Sequence, residues 1–426
     1  MFSRIPYILE WILFGAIWAV VLTYASPPPT DEIEQVRAYT RQIEFNYVNW
    51  MLNAMGVKIQ QGAAGLPGYL SNESRKEIVT EYLSVTQNIM NSETALDQIY
   101  ADATIKDKDA AAKTIRADLA QEYARQNQLA PLTEAILQEQ VSQVLSEQGL
   151  TLLGQTIPSV LFHSTPVPNA LVVSKRNVIE QIANISVSPD LTIDQQADLE
   201  SRVDAGLNVS SLVVPIGGVG VYPTMIMRTT SLQWLLSTIA HEWTHNYLTL
   251  RPLGALYDQS PELRTMNETT ADMTGNEIGA LVIKEFYPQL STASLLHDFN
   301  LISLPQDHPA PGTLPRPPFD FRAEMHTTRV TVDALLAEGK IDEAEAYMRD
   351  RQQIFLRNGY LIRKLNQAYF AFYGAYADVP GGAAGNDPVG GAVRELRAES
   401  PTLADFVNRI SWMTSYDELK KVVSTQ

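Results

Sequence analysis

The sequence predicts an α+β protein that is mostly helical, with a small mixed sheet between helical flanking regions. Three observations predict it. Long Ala-, Gln-, Glu- and Leu-rich stretches carry helical periodicity toward both ends of the chain. A middle segment breaks into short Val- and Ile-rich runs, and Pro and Gly punctuate those runs. At 426 residues the chain is long enough for two or three regions. Its hydrophobic fraction of 45% and charged fraction of 19% exclude wholesale disorder. The net charge of −16 argues against a nucleic-acid partner, because phosphate binding needs clustered Lys and Arg. There is no cysteine, so any metal must be held by His and carboxylates.

The chain opens with "IPYILEWILFGAIWAVVLTY", Ile5 to Tyr24, which carries one charge, Glu10. At about 1.5 Å per residue this matches a bilayer core of about 30 Å. Tyr7, Trp11, Trp18 and Tyr24 suit its interfaces. Residues 1–25 therefore read as a retained single-pass transmembrane anchor. The rival is a cleaved signal peptide, whose "TYA" site places a large Thr where a small residue is needed. Arg4 before the span and "PPPTDEIE" after it predict a membrane protein with its body outside the cytoplasm; Arg37 and Arg41 weaken that asymmetry. Glu10 implies either a membrane-protein partner or a reach to the interface.

Residues 26–153 form a helical N-terminal region. In "TEAILQEQVSQVLSEQGL", Ile136, Val141, Val144 and Leu145 share one face and Gly149 is the stop. Residues 154–300 hold the sheet ("SVLFH", "NALVVS", "ANISVS", "SSLVVPIGGVGVYPTMIM") and two helices. Thr229, Thr230 and Ser231 offer caps for the first helix, which runs to Arg251. Ser260-Pro261-Glu262 starts the second. Residues 301–426 are again helical, with long helices at Phe321–Glu338 and 341–376 and a Gly-rich loop from Gly381 to Gly391.

Chemistry concentrates in "STIAHEWTHNYL", Ser237 to Leu248, which holds two of the six histidines. On a helix, i and i+4 project together, about 6 Å apart, so His241 and His245 face one cleft and one tetrahedral zinc spans them. Glu242, one residue offset, reaches toward the metal's water as a general base. Leu235, Ile239, Trp243 and Tyr247 then face the core. Two satisfied histidines on an amphipathic helix would be the bland alternative. "TMNETTADMTGNEIG" weighs against it: Glu268 supplies a third ligand and Asp272, one turn on, the partner for a ligand imidazole. Ala271, Gly275 and Gly279 permit close helix packing.

H-E-x-x-H followed by N-E-x-x-x-D-x-x-G resembles the gluzincin metallopeptidases, and the second motif most resembles the thermolysin family. The resemblance covers Leu232 to Gly279. It implies a zincin-like catalytic domain, with zinc held by His241, His245 and Glu268. It also implies Glu242 as base and proton shuttle, and Asp272 with Asn267 supporting the ligands. In such folds an edge strand binds the substrate backbone; "GGVGVYPTM" occupies that place, with Gly218, Val219, Gly220 and Val221 as the contacts. The chain departs from the family in lacking a downstream D-x-x-x-H histidine. "KLNQAYFAFYGAYADVP" is distantly similar to a stretch in a bacterial aminopeptidase-like family, where a Tyr follows L-N-x-A. That similarity makes Tyr376, with Asn366 nearby, the oxyanion candidate, ahead of Tyr257 and of His326 with Arg329. His163, His297 and His308 read as loop residues without partners.

The expected function is zinc-dependent hydrolysis of peptide bonds, with aminopeptidase activity one form of it and a peptide or protein as substrate. The alternative is a non-catalytic scaffold subunit of a membrane complex; it commonly loses the base, which Glu242 retains. A structural zinc site is disfavoured because no fourth ligand follows.

Overall fold

The computed structural model describes residues 31–64, 66–101, 106–152, 154–290, 319–375 and 388–423. Among these, helix dominates and strands are few and short. Among the described residues the first four α-helices are α1 (Glu32–Thr40), α2 (Tyr47–Ala64), α3 (Asn72–Ala101) and α4 (Lys108–Glu147). Gly149, at φ +78°, ends this run as the sequence suggested. Six strands follow: β1 (Phe162–Ser164), β2 (Asn169–Lys175), β3 (Gln181–Val187), β4 (Val209–Pro215), β5 (Gly218–Val219) and β6 (Thr224–Ile226).

They form two three-stranded sheets. In the first, β2 pairs antiparallel with β3 on one side and β4 on the other. The central strand is buried on both faces, hence the near-continuous apolar run "NALVVSK". One face (Ala170, Val172, Leu212, Val214) packs against α9 (Phe321–Ala337), α10 (Ile341–Arg357) and α11 (Gln367–Tyr373). The other (Leu171, Val173, Ile185, Val213) packs against α1 and α5 (Ile193–Leu207). In the second sheet β6 is central, parallel to β1 and antiparallel to β5, so β5 is an edge strand.

The largest core joins distant parts of the chain. Ile136, Val141, Val144 and Leu145 of α4 meet α6 (Leu232–Thr249) and α8 (Pro261–Phe286). The C-terminal helices α12 (Val389–Glu399), α13 (Leu403–Ser411) and α14 (Tyr416–Val423) pack onto the same core. A single turn, α7 (Pro252–Ala255), links α6 to α8.

Several expectations change. Among the described residues no helix is long and apolar enough to cross a membrane. The long helices α3 and α4 carry Asp, Glu, Lys and Arg along their length, which excludes them as spans. The single-pass membrane localisation is therefore unsupported and is withdrawn; Ile5–Tyr24, on which it rested, lies outside the described residues. The sheet region also contains a helix, α5, that its Val- and Ile-rich surroundings obscured. It is set by a capping box between Thr192 and Gln195 and ended by Asn208 in the left-handed region. The helix expected over 341–376 is two: α10 ends at Arg357, Gly359 has φ +92°, and Asn366 caps α11. Within the Gly381–Gly391 stretch, Val389 already begins α12.

Candidate metal centre

Local chemistry explains why α6 and α8 form where they do. The Ser231 side chain accepts from Trp234 N, capping α6, and that of Ser260 accepts from Leu263 N, with Pro261 in the first turn of α8. Leu235, Ile239, Trp243 and Tyr247 all lie in the core, which turns His241 and His245 to the other side. The two helices press together at glycines: a Cβ on Gly275 would lie 2.6 Å from the Ser237 carbonyl oxygen and 2.9 Å from the His241 Cβ. Only a residue without a side chain permits that approach.

Three atoms converge as a result. His241 Nε2 and His245 Nε2 are 3.0 Å apart. Glu268 Oε2 lies 3.7 Å from the first and 3.5 Å from the second. Ligand bonds of about 2.0–2.2 Å in a tetrahedron set ligand–ligand edges near 3.3–3.6 Å, and the three separations bracket that range. The other ring nitrogens each face a polar side chain from behind, though only that of His245 makes a hydrogen bond with a described residue. His245 Nδ1 donates to Asn267 Oδ1 at 2.8 Å, and His241 Nδ1 lies 2.8 Å from Asp272 Oδ1. With protons on the Nδ1 atoms, both Nε2 lone pairs point at each other and at the carboxylate. Glu268 Oε2 is buried and has no hydrogen-bond partner. Three electron-pair donors so arranged need a cation or extra protons between them. The fit to a divalent metal is good, and the donor set suits zinc among others.

Electrostatics agree. Burial raises the Glu268 carboxyl, but the charges of His245 and His241 and the hydrogen bonds to it outweigh that and hold it at about 2. Burial lowers His245, yet Glu268 and Glu242 together lift it to about 9, so the protein alone draws a proton into the cluster. Asp272 is pushed well up, first by burial and then by Glu268. Glu242 is raised by burial, with the two histidines opposing and Glu268 and Asp272 adding.

The cluster opens into a cleft of about 410 Å³. Gly218, Val219 and Gly220 line it. A Cβ on Gly218 would meet Glu242 Oε1 at 2.6 Å, and one on Gly220 the His245 Cβ at 3.2 Å. The edge strand thus rides directly on the Glu242 carboxylate. Val221 lies just beyond, its carbonyl facing Asn246 Nδ2 at 3.5 Å.

Other candidates fall elsewhere. Tyr376 lies outside the described residues. Asn366 is a helix cap, its Oδ1 accepting from Tyr369 N and its Nδ2 donating to Ser211 O. Arg329 pairs with Asp333 and Phe370 O, and neither it nor His326 lines the cleft. Tyr257 does line it, but its hydroxyl donates to Glu268 Oε1. His163 is not partnerless: its Nδ1 is 2.9 Å from Glu134 Oε1. His297 and His308 lie outside the described residues.

Sequence reasoning missed the opposite wall. Tyr47 of α2, Gln181, Asn184 and Ser186 of β3, and Phe372 of α11 complete the cleft, and the Tyr47 hydroxyl donates to Ser186 Oγ at 2.7 Å. The alternation of β3 marks Asn184 and Ser186 as one face; nothing local marks Tyr47. Comparison with protein-family models, curated proteins and solved structures yields no match.

Proposed function

We propose that the protein is a metal-dependent hydrolase of the zincin type, acting on peptide bonds through zinc held by His241, His245 and Glu268. One observation carries this reading. Glu242 is 6% exposed, its carboxylate takes no hydrogen bond from any described residue, and it faces the cleft beside the two imidazoles. Holding a carboxylate at such low exposure without a hydrogen-bond donor is unfavourable, and a site that handles protons gives a reason to retain one.

A divalent ion held by these three residues would polarise the scissile carbonyl and lower the pKa of a water to about 7. Glu242 takes that water's proton on its carboxylate and later returns it to the leaving amine. Its raised proton affinity suits both steps. Asp272 and Asn267 hold the imidazoles in the tautomer that leaves Nε2 free. The open edge of β5 hydrogen-bonds an extended substrate backbone, and its glycines bring that backbone down onto Glu242.

Glu242→Gln preserves size and hydrogen bonding but cannot accept the proton. It should keep wild-type metal content and lose hydrolysis of a peptide library by about 100-fold or more. Undiminished turnover in that variant would remove Glu242 from the chemistry.

A further inference from the structure

We infer that Tyr257 is a positioning residue that fixes the Glu268 carboxylate so that one oxygen, Oε2, is presented to the metal. The inference rests on the metal-centre reading above and adds the way in which its carboxylate ligand binds. The two oxygens of Glu268 have different surroundings. Oε1 accepts a hydrogen bond from the Tyr257 hydroxyl. Oε2 is buried without a hydrogen-bond partner and faces His245 Nε2 at 3.5 Å and His241 Nε2 at 3.7 Å.

The phenol is itself held in place. Its ring meets His245 edge-on at 6.3 Å, and the Arg264 guanidinium lies 5.9 Å from its centroid. Its backbone N–H donates to Gly254 O at 3.2 Å. A Cβ on Gly254 would strike the Leu248 carbonyl at 2.2 Å, so this turn can fold against the end of α6 only with glycine there.

The chemistry follows from lone pairs. A carboxylate whose distal oxygen is free can bind a cation through both oxygens. A phenol O–H on that oxygen withdraws electron density and fixes the plane of the carboxylate, so one-oxygen binding is favoured. That keeps the protein ligands at three and leaves a position for water and substrate. Without the phenol, Glu268 loses its fixed orientation, which weakens binding, and it is free to rotate and chelate, which fills that position.

The experiment compares the full chain and Tyr257→Phe, titrated with Zn²⁺ against a chromophoric chelator and then with Co²⁺ in the visible. Tyr257→Phe should bind Zn²⁺ about tenfold or more weakly. Its cobalt bands should weaken and shift from a four-coordinate toward a five-coordinate pattern. Wild-type affinity with an unchanged cobalt spectrum would overturn the inference, even if hydrolysis were lost, because it would place the phenol on the substrate instead. A wild-type protein that binds neither ion would overturn the metal centre itself, and this inference with it. If circular dichroism shows Tyr257→Phe to be unfolded, Tyr257→Met, a flexible apolar filler, is read in the same two titrations.

Discussion

Substituting Ala for Gly275 tests whether the close approach of α6 and α8 builds the site. The new Cβ would lie 2.6 Å from Ser237 O, 2.9 Å from the His241 Cβ and 3.1 Å from His241 N. Two of these are backbone atoms and cannot swing aside. An ordinary carbon–oxygen contact is about 3.3–3.6 Å, so the helices must part by about 0.7 Å or more. Overpacking of this kind costs about 1–3 kcal/mol. Ala offsets about 1 kcal/mol of that through its better helix propensity, which leaves a net loss of up to about 2 kcal/mol. The displacement acts on His241 directly, so Zn²⁺ affinity should fall with stability. Urea unfolding at constant slope measures the first, and chelator competition the second. Gly56 of α2 is the control, since a Cβ there meets nothing within 4 Å. Gly56→Ala should gain up to about 1 kcal/mol. A gain in stability for Gly275→Ala like that of Gly56→Ala, with Zn²⁺ affinity unchanged, would refute the packing argument.

Three further outcomes follow from the same structure. Asp272→Asn should weaken Zn²⁺ binding by about 10- to 100-fold without unfolding the protein; unchanged affinity would mean that Asp272 does not support His241. Arg363→Met should cost about 3 kcal/mol in urea unfolding. Among the described residues it leaves Glu200, whose side chain is 3% exposed, with Lys364 at 3.6 Å and the amide of Val213; a loss below about 1 kcal/mol would make the pair dispensable. Glu134 should contribute to acid unfolding. Burial raises it, but His163 and Lys58 prevail and hold its folded pKa at about 2, against an ordinary 4.5. Its contribution is therefore complete above pH 4.5 and lost as pH falls through about 2. Glu134→Gln should flatten the stability–pH curve over that window, and an identical curve would rule Glu134 out as a source of acid sensitivity.

The sequence disclosed most about the parts of the site that lie close together along the chain. His241, Glu242 and His245 share one helical turn, and Asn267, Glu268, Asp272 and Gly275 share two turns of the next helix. For each cluster, spacing alone decides which side chains project together, so helical periodicity was enough. Where partners lie far apart in sequence, periodicity was silent. Tyr47 reaches the cleft only because α2 starts beside β3. His163 looked partnerless because Glu134 belongs to another element. Tyr257 was visible as a nearby aromatic, but the direction of its O–H depends on a turn that Gly254 allows. The hidden helix α5 shows a further limit: its 15 residues lie between strands, and the Val and Ile content of those strands dominated the texture of the region.

The wall formed by Tyr47 also changes how the N-terminal helices should be understood. Their sequence carries no chemical motif, and a spacer is the natural reading. Yet the turn between α1 and α2 adds to the sheet edge: Phe45 N donates to Ser186 O at 3.0 Å and Ser188 N to Ile43 O at 2.8 Å. Arg37 grips the Glu44 carboxylate with two donors, at 3.1 and 2.8 Å, and so fixes that turn. An exposed end of β3 would otherwise present unpaired backbone groups. The same contact that covers this edge delivers Tyr47 to the cleft opposite Glu242. Closing the sheet and completing the cleft are thus one structural event, and residues without catalytic character shape the site by deciding where an edge strand ends.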